Sequence, residues 1–412
     1  MQTFRCQKWT VTVVTAVLAL VLSLFLPPSA VHAQTIFQNP EFHWVVDIPV
    51  GWEVLDAERA DFVSFTDPER IAVLQIISFP GDRFVTVQEL DSYIRTSFSA
   101  SGDAVPFRYL GDHSIFADYR FVAGSGGGRG IPVRGYMTFI NGGDFDYAVM
   151  TFVVEDHYEQ LHDVALSALD SFSPDLTRRQ LPGPVSAFYT AAADAGDDEL
   201  PASEIILPSG KQALLPETIR DPVQIDGSQV LIEREARVLA PYAPVPGREP
   251  PPWQQAWRRY FRMVYRDNVE RLVPVAEMLF HDLASAGVPR DQMPEEILSW
   301  LQGAEYRRTP SLSDLMNPLW CLVDFAGDCD SLGLTYAILL HHLGFDAILM
   351  VSLEFAHAVV GVDIPGEGAR FPFEERQWLV AELTAPVPIG QIDQTMSDIT
   401  GWVGIKLDPT AW

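Results

Sequence analysis

Short apolar segments recur along residues 36–175. The alternation of apolar and polar positions at residues 42–49 predicts a half-buried β-strand, and further strands are predicted at residues 62–65, 71–79, 107–110, 114–122, 131–139 and 145–154. Apolar side chains three and four positions apart predict helices at residues 87–98 and 157–172. The resulting order, β-β-β-α-β-β-β-β-α, predicts an antiparallel sheet with helices packed on one of its faces.

The composition changes after this first unit. Pro, Gly, Ala and Asp dominate residues 176–202, which predicts a linker. Residues 203–252 are expected to form an extension with one strand and one helix, and they end in a proline-rich break.

Residues 253–412 are predicted to form an α+β domain of their own. Helical spacing begins at Trp253 and continues to Leu283, and Pro274 is expected to kink or divide that helix. Further helices are predicted at residues 294–301 and 329–343, and strands at residues 347–353, 358–362 and 377–382.

The first 33 residues resemble a secretory signal peptide. Arg5 and Lys8 precede an apolar run at residues 11–26, prolines follow, and small residues end the segment. The run also reaches the lower limit of a membrane span, so the segment is either cleaved or retained as an anchor. In both cases the rest of the chain is expected to be exported, to the periplasm or the extracellular space, with membrane contact only through an uncleaved anchor.

The net charge and the cysteine content restrict which partners and which disulfide bonds are expected. The chain has 412 residues and a formal net charge of −27, which opposes contact with phosphate backbones, so we expect no nucleic-acid partner. Cys6 lies in the signal, leaving Cys321 and Cys329. Two cysteines are too few for a disulfide framework in an exported protein of this size.

Cys329 is the strongest candidate for a chemical role. A glycine turn at Gly327 leads directly into the predicted helix, so Cys329 falls in the first turn, where backbone N–H groups and the helix dipole stabilise a thiolate. The neighbouring carboxylates of Asp328 and Asp330 oppose that effect. Two other interpretations remain open, an ordinary buried cysteine and a disulfide with Cys321 that would abolish reactivity.

A thiol nucleophile needs a base and a group that orients the base. His341 and His342 lie on the same helix, roughly 18 Å from Cys329 at 1.5 Å per residue. His357 begins a predicted strand and is the better candidate for the base. Glu382, which ends another strand, is the expected orienting acid, with Asp363 as the alternative.

No metal or cofactor is expected. The spacing of Asp324, Asp328 and Asp330 does not fit a calcium loop, and the paired cysteines or HExxH motif of zinc sites do not occur.

Two stretches resemble known families. Gly327-Asp328-Cys329-Asp330, Ala356-His357-Ala358-Val359 and the strand ending at Glu382 resemble the transglutaminase-like superfamily, the papain-related thiol fold. That resemblance implies a Cys-His-acid triad, with Gln302 as a candidate oxyanion donor; the family more often has Asp or Asn at the position of Glu382. Residues 36–175 resemble the photosystem II PsbP-like α/β/α sandwich, which implies a binding module.

These observations lead to two functional hypotheses. The first is an exported thiol hydrolase acting on peptide or amide bonds of a protein or peptide substrate through Cys329, His357 and Glu382. The second is a non-catalytic exported scaffold with an inert thiol domain. The sequence does not separate hydrolysis from transfer to an amine, and cleavage of a peptide or amide bond is the favoured outcome.

Overall fold

The computed structural model describes residues 35–124, 130–176, 181–192, 200–244 and 252–407. The predicted signal peptide, residues 1–33, lies outside these ranges. The chain divides into two compact units, one of Met1–Leu176 with Gly183–Ala192 and one of Thr177–Pro182 with Ala193–Trp412. Within the described ranges, no helix has both the length and the apolar character that crossing a bilayer requires.

The first unit is built on a seven-stranded antiparallel sheet in the order β3-β4-β5-β9-β8-β7-β6, beside a β1-β2 hairpin. The strands are β1 (Ile36–Asn39), β2 (Trp44–Asp47), β3 (Glu53–Arg59), β4 (Phe62–Thr66), β5 (Ala72–Pro80), β6 (Ser101–Tyr109), β7 (Asp112–Ala123), β8 (Ile131–Asn141) and β9 (Phe145–Val154). The helices are α1 (Val87–Phe98), α2 (Tyr158–Asp170) and α3 (Pro184–Ala192).

Helices cover both faces of this sheet, so the prediction of helices on one face was wrong. Leu74 and Val149 pack with Leu169 of α2, whereas Val73 and Ala148, their neighbours along the same strands, share a second core with α1. Successive side chains of a strand point to opposite faces, so a strand buried on both sides is apolar almost throughout. The sequences of β5 and β9 are mostly apolar, which is the pattern expected of strands buried on both sides.

The predicted linker over residues 176–202 also contains regular structure, because α3 lies within it. The buried carboxylate of Asp170 accepts hydrogen bonds from the backbone N–H groups of Val185 and Ser186, at 2.9 and 3.0 Å, and from the Ser186 hydroxyl at 2.7 Å. These bonds satisfy N–H groups that a helix start leaves free. Local composition does not reveal a partner 15 positions away.

The second unit combines helices with a five-stranded antiparallel sheet in the order β16-β17-β15-β14-β18. Its helices are α4 (Glu217–Arg220), α5 (Pro222–Leu239), α6 (Trp253–Asn268), α7 (Val273–Ser285), α8 (Met293–Leu301), α9 (Pro318–Asp324) and α10 (Cys329–His342). Its strands are β10 (Glu204–Ile206), β11 (Gln212–Leu214), β12 (Glu305–Tyr306), β13 (Ala326–Gly327), β14 (Ala347–Ser352), β15 (His357–Val362), β16 (Arg370–Phe373), β17 (Arg376–Ala381) and β18 (Val403–Lys406).

The long helix expected from Trp253 is divided as its sequence indicated. The α6 helix ends at Asn268, a short 3₁₀ turn follows, and Pro274 lies in the first turn of α7, where a missing N–H is tolerated.

The α10 helix packs directly on the sheet of the second unit. Leu332 and Leu339 share one buried cluster with Leu349 of β14 and Val360 of β15. Gly333 faces the same strands, and a Cβ there would lie 3.1 Å from the Leu349 side chain, so glycine permits the close approach of helix and sheet. This packing fixes the start of α10 against the sheet, which is where the candidate nucleophile lies.

Candidate functional site

Cys329 is the first residue of α10, as the sequence predicted. Asp328 is the N-cap, and its Oδ1 accepts the backbone N–H of Ser331 at 2.9 Å. Gly327 lies where a Cβ would come within 3.1 to 3.2 Å of Ser331, Cys321 and Leu332, so the turn requires a residue without a side chain. The N–H groups of Cys329 and Asp330 belong to the first turn, which leaves them without intrahelical acceptors.

The cap at Asp328 should contribute to the stability of the second unit. Replacing this buried carboxylate with alanine leaves the Ser331 N–H without its acceptor, so we expect Asp328→Ala to lower the free energy of unfolding by about 1 to 2 kcal/mol. Asp328→Asn retains an oxygen acceptor and should lose only a fraction of that. Chemical denaturation followed by fluorescence measures both. Equal losses in the two variants would contradict the role as a cap.

The sulfur of Cys329 lies at the start of β15. The backbone N–H of Ala358 acts on it and lowers the pKa of the thiol, and the thiol lies 3.7 Å from Asp330 Oδ1. Cys329 and Cys321 are both free and buried, so the alternative disulfide is not formed. Ala358 follows His357, and Asp330 interacts electrostatically with His357. Thiol, carboxylate and imidazole therefore share one region of the second unit.

The environment of Cys329 favours the neutral thiol. Burial, followed by the charges of Asp330 and Asp328, raises the pKa of Cys329 to about 12, against the smaller opposing effects of the Ala358 N–H and Arg308. A thiolate is the nucleophilic form of cysteine. Sulfur attack in this site therefore depends on a base that takes the proton as the reaction proceeds.

His357 is held by the acid that the sequence selected. Its Nε2 lies 2.7 Å from Glu382 Oε2, and the second Glu382 oxygen accepts the backbone N–H and hydroxyl of Thr384 at 2.8 and 2.7 Å. Burial by itself would raise the pKa of Glu382, but the hydrogen bonds from His357 and Thr384 outweigh it and hold that pKa below its ordinary value. Glu382 is therefore ionised at neutral pH, and Nε2 of His357 carries the hydrogen.

The sheet explains why these two residues meet. The strands β15 and β17 are antiparallel neighbours, with Val360 opposite Ala381. His357 begins β15 and Glu382 directly follows β17, so both side chains emerge at the same end of the strand pair. The ring of Trp402 lies beside the imidazole, with centroids 6.3 Å apart. No local pattern in the sequence pointed to Trp402, which is 45 positions beyond His357.

The remaining nitrogen, Nδ1 of His357, makes no hydrogen bond with any of the residues that the structure describes, and that includes Cys329. Thiol and imidazole are thus neighbours in the same region without a direct hydrogen bond. Catalytic hydrogen bonds are often long or misaligned in ligand-free enzymes and shorten when substrate binds.

Gln302, the oxyanion candidate, is brought to the same region but is fully engaged. Its Nε2 donates to the backbone carbonyls of Glu382 and Val387, at 2.8 and 2.7 Å. Both amide hydrogens are therefore in use, and the side chain anchors the segment that carries Glu382. The free N–H groups at the start of α10 are the donors that remain for an oxyanion.

The other candidates lie elsewhere. Asp363 pairs with Arg376 at 2.9 Å in an exposed ion pair and does not orient His357. His341 bonds to the Tyr265 hydroxyl and His342 to the Val269 carbonyl, at 2.7 and 2.6 Å, which joins the end of α10 to its neighbours. In the part of the chain that the structure describes, no group of His, Cys, Asp and Glu residues is arranged to hold a metal ion.

A cavity lies beside Asp330, the neighbour of Cys329, and no pattern in the sequence indicated it. It has a volume of about 270 Å³ and is bounded by Asp330 together with parts of α5, α6 and residues 312–314. Asp330 therefore faces the cavity as well as the thiol. The segments that form the wall are up to about a hundred positions apart, so only the folded chain brings them together.

Comparison with known proteins gives no family. No family model matches the chain, and no curated protein matches it. Among solved structures, the chain is similar to cyanobacterial PsbP (CyanoP) from Synechocystis sp. PCC 6803, with 15% identity over 36% of this chain and 97% of that one and a TM-score of 0.28. It is also similar to the Saccharomyces cerevisiae Ran-binding protein Mog1p, with 10% identity over 36% and 98% of the two chains and a TM-score of 0.26.

A third likeness is to a protein from Bacteroides thetaiotaomicron VPI-5482, with 10% identity over 81% of this chain and 88% of that one and a TM-score of 0.24. CyanoP bears the name of the family that residues 36–175 were expected to resemble. At these scores none of the three likenesses carries an argument about activity, so the functional proposal depends on the site itself.

Proposed function

We propose that this protein is an exported thiol hydrolase of transglutaminase-like type, acting on peptide or amide bonds. Cys329 is the nucleophile, His357 the base and Glu382 the acid that orients His357. The observation that carries the proposal is the 2.7 Å bond between His357 Nε2 and an ionised Glu382, next to a cysteine at a helix start. That bond leaves Nδ1 as the nitrogen that can accept the thiol proton.

The reaction follows from these groups. As the sulfur attacks the acyl carbonyl, its proton passes to His357 Nδ1, and the ionised Glu382 stabilises the resulting imidazolium. The oxyanion is held by the free N–H groups at the start of α10. The imidazolium then protonates the leaving amine, which departs and leaves a thioester on Cys329.

The second half of the reaction restores the thiol. A water molecule gives a proton to His357 as its oxygen attacks the thioester, and the thiol regains that proton when the carboxylic acid is released. An amine in place of water would yield a new amide. Because the resting thiol is protonated, this is a general-base mechanism and not one that starts from a thiolate–imidazolium pair.

The second candidate is a scaffold with an inert thiol domain. The raised pKa of Cys329 and the lack of a hydrogen bond from its sulfur to His357 favour it. In that case Asp330 would keep the thiol neutral permanently, and no substrate would be acylated onto it.

Acyl-enzyme trapping separates the two candidates. The protein is incubated with a mixture of tryptic peptides, and the reaction is stopped with acid within seconds. The protein is then digested, and its peptides are analysed by mass spectrometry. We expect an acyl adduct on the peptide that contains Cys329, and shorter peptides to accumulate with time. Cys321 is the internal control because it is buried and its pKa is also raised by burial. Adducts on both cysteines in equal amounts, or on neither, would favour the scaffold.

A further inference from the structure

The cavity beside Asp330 has walls that suit an unbranched carbon chain. Leu239 of α5 and the rings of Trp257 and Phe261 of α6 line it, and Leu312 and Leu353 complete the apolar boundary. Leu312 is 63% exposed and Leu353 43%, so apolar surface continues out of the cavity into solvent. Exposed apolar surface next to a concave site indicates contact with a ligand.

The charged groups of the cavity are acidic. Asp330 and Asp314 line it, and no lysine, arginine or histidine is among the described residues that do so. The two carboxylates differ in their partners. Asp314 forms an exposed ion pair with Arg308 at 3.6 Å, whereas no described lysine or arginine pairs with Asp330. The nearest hydrogen-bonding group of Asp330 is the neutral thiol at 3.7 Å.

A half-buried carboxylate in an apolar cavity without a cation is electrostatically unfavourable. Burial and the neighbouring charges of Asp328 and Asp314 raise the pKa of Asp330 to about 7, which is the expected consequence of that isolation. A cation brought into the cavity by a ligand would relieve the penalty and form a charge-assisted hydrogen bond. The hydroxyl of Tyr260, 3.0 Å from Ser313 Oγ, adds a polar group on the same side.

We propose that this cavity is a specificity subsite for a substrate side chain with an apolar stem and a cationic end, such as lysine, whose ammonium group pairs with Asp330. The inference rests on the proposed function only in assigning the ligand to a substrate of Cys329. The stem lies along Leu239, Trp257 and Phe261. The volume of about 270 Å³ is ample for one such side chain and too small for a folded segment.

Binding of a minimal ligand tests the subsite without catalysis. Hexylammonium and 1-hexanol share the same stem and differ in charge. At pH 8 the amine is protonated and Asp330 is mostly ionised. Titrated into the Cys329→Ala protein and followed by NMR, hexylammonium should bind about tenfold more tightly than hexanol. Equal affinities would overturn the proposal and leave an apolar pocket.

Substitution of the two carboxylates identifies the group that pairs with the cation. Asp330→Asn should remove most of the preference for hexylammonium while hexanol still binds, which also shows that the variant is folded. Asp314→Asn is the matched control and should retain most of the preference, because the charge of Asp314 is shared with Arg308. A larger loss in Asp314→Asn than in Asp330→Asn would overturn the assignment.

A kinetic comparison links the subsite to the reaction. Peptides that differ only in lysine or norleucine at one position are compared by kcat/KM in the unsubstituted protein and in Asp330→Asn. Within each protein, the kcat/KM for the lysine peptide is divided by that for the norleucine peptide. This ratio cancels any change in thiol reactivity, because such a change affects both peptides equally. We expect a lysine preference of about tenfold that falls toward unity in Asp330→Asn. If hexylammonium binds but Cys329 is never acylated, the proposed function fails and the subsite stands. If Cys329 is acylated but lysine is not preferred, the proposed function stands and the subsite fails.

Discussion

Replacement of His357 with alanine is expected to lower kcat/KM for amide cleavage by about a thousandfold at pH 7.5. Burial and two nearby carboxylates raise the pKa of Cys329 to about 12, so almost no thiolate exists at this pH without a base. In this site the base performs the whole activation, because no resting thiolate can attack in its absence. The loss should therefore appear in kcat, with KM changed little.

The pH profile distinguishes this role from a structural one. With His357 present the base belongs to the site, so activity between pH 8 and 9 should not follow the hydroxide concentration. In His357→Ala the residual activity should increase about tenfold per pH unit, because hydroxide then forms the thiolate directly. His281→Ala is the matched control, since it removes an exposed histidine of the same unit. A variant of His357 with unchanged kcat would refute the triad.

Replacing Glu382, the orienting acid, tests the same triad with a smaller expected loss of activity. Glu382→Gln keeps one oxygen, which can accept from His357 Nε2 or from Thr384 but not from both, and it removes the charge that stabilises the imidazolium. A loss between those of the His357 and His281 variants is therefore expected from the same kinetic measurement.

The candidate triad could be read from the sequence because each member occupies a special position in its own element. Gly327 and Asp328 define a helix start, so Cys329 falls in the first turn. His357 and Glu382 stand at the ends of short apolar segments that formed β15 and the end of β17. Order and spacing were enough to choose Glu382 over Asp363, and the 2.7 Å bond to His357 agrees with that choice.

Features that depend on long-range contacts were beyond the same reasoning. The α3 helix depends on Asp170, which lies 15 positions before Val185. The free hydrogens expected on Gln302 are used by two carbonyls about 80 positions away. Asp330 was considered as a neighbour of the thiol and as a calcium ligand, but not as part of a cavity, because its exposure to that cavity depends on residues from α5 and α6.

Asp330 controls the reactivity of the thiol, and its removal should increase that reactivity. After burial, the charge of Asp330 is the largest influence that raises the pKa of Cys329; Asp328 contributes less, and Arg308 acts in the opposite direction. Asp330→Asn keeps the size of the side chain and removes the charge, so the pKa of Cys329 should fall. Each unit gives tenfold more thiolate at a fixed pH. We expect alkylation of Cys329 by iodoacetamide at pH 8 to accelerate by about tenfold or more.

The acceleration of alkylation in Asp330→Asn should itself depend on pH, and the direction of that dependence can be predicted. The pKa of Asp330 is raised to about 7, so its carboxylate is charged above that pH and neutral below it. The ratio of alkylation rates, Asp330→Asn over the unsubstituted protein, should therefore be largest at pH 8 to 9 and approach unity near pH 5.5. A purely structural loosening of the site would speed alkylation at both pH values alike.

Asp328→Asn is the matched control and should give a smaller acceleration, because its charge has the smaller effect on the sulfur. A constant ratio across this range would show that the charge of Asp330 does not restrain Cys329, and the general-base mechanism would lose its physical reason.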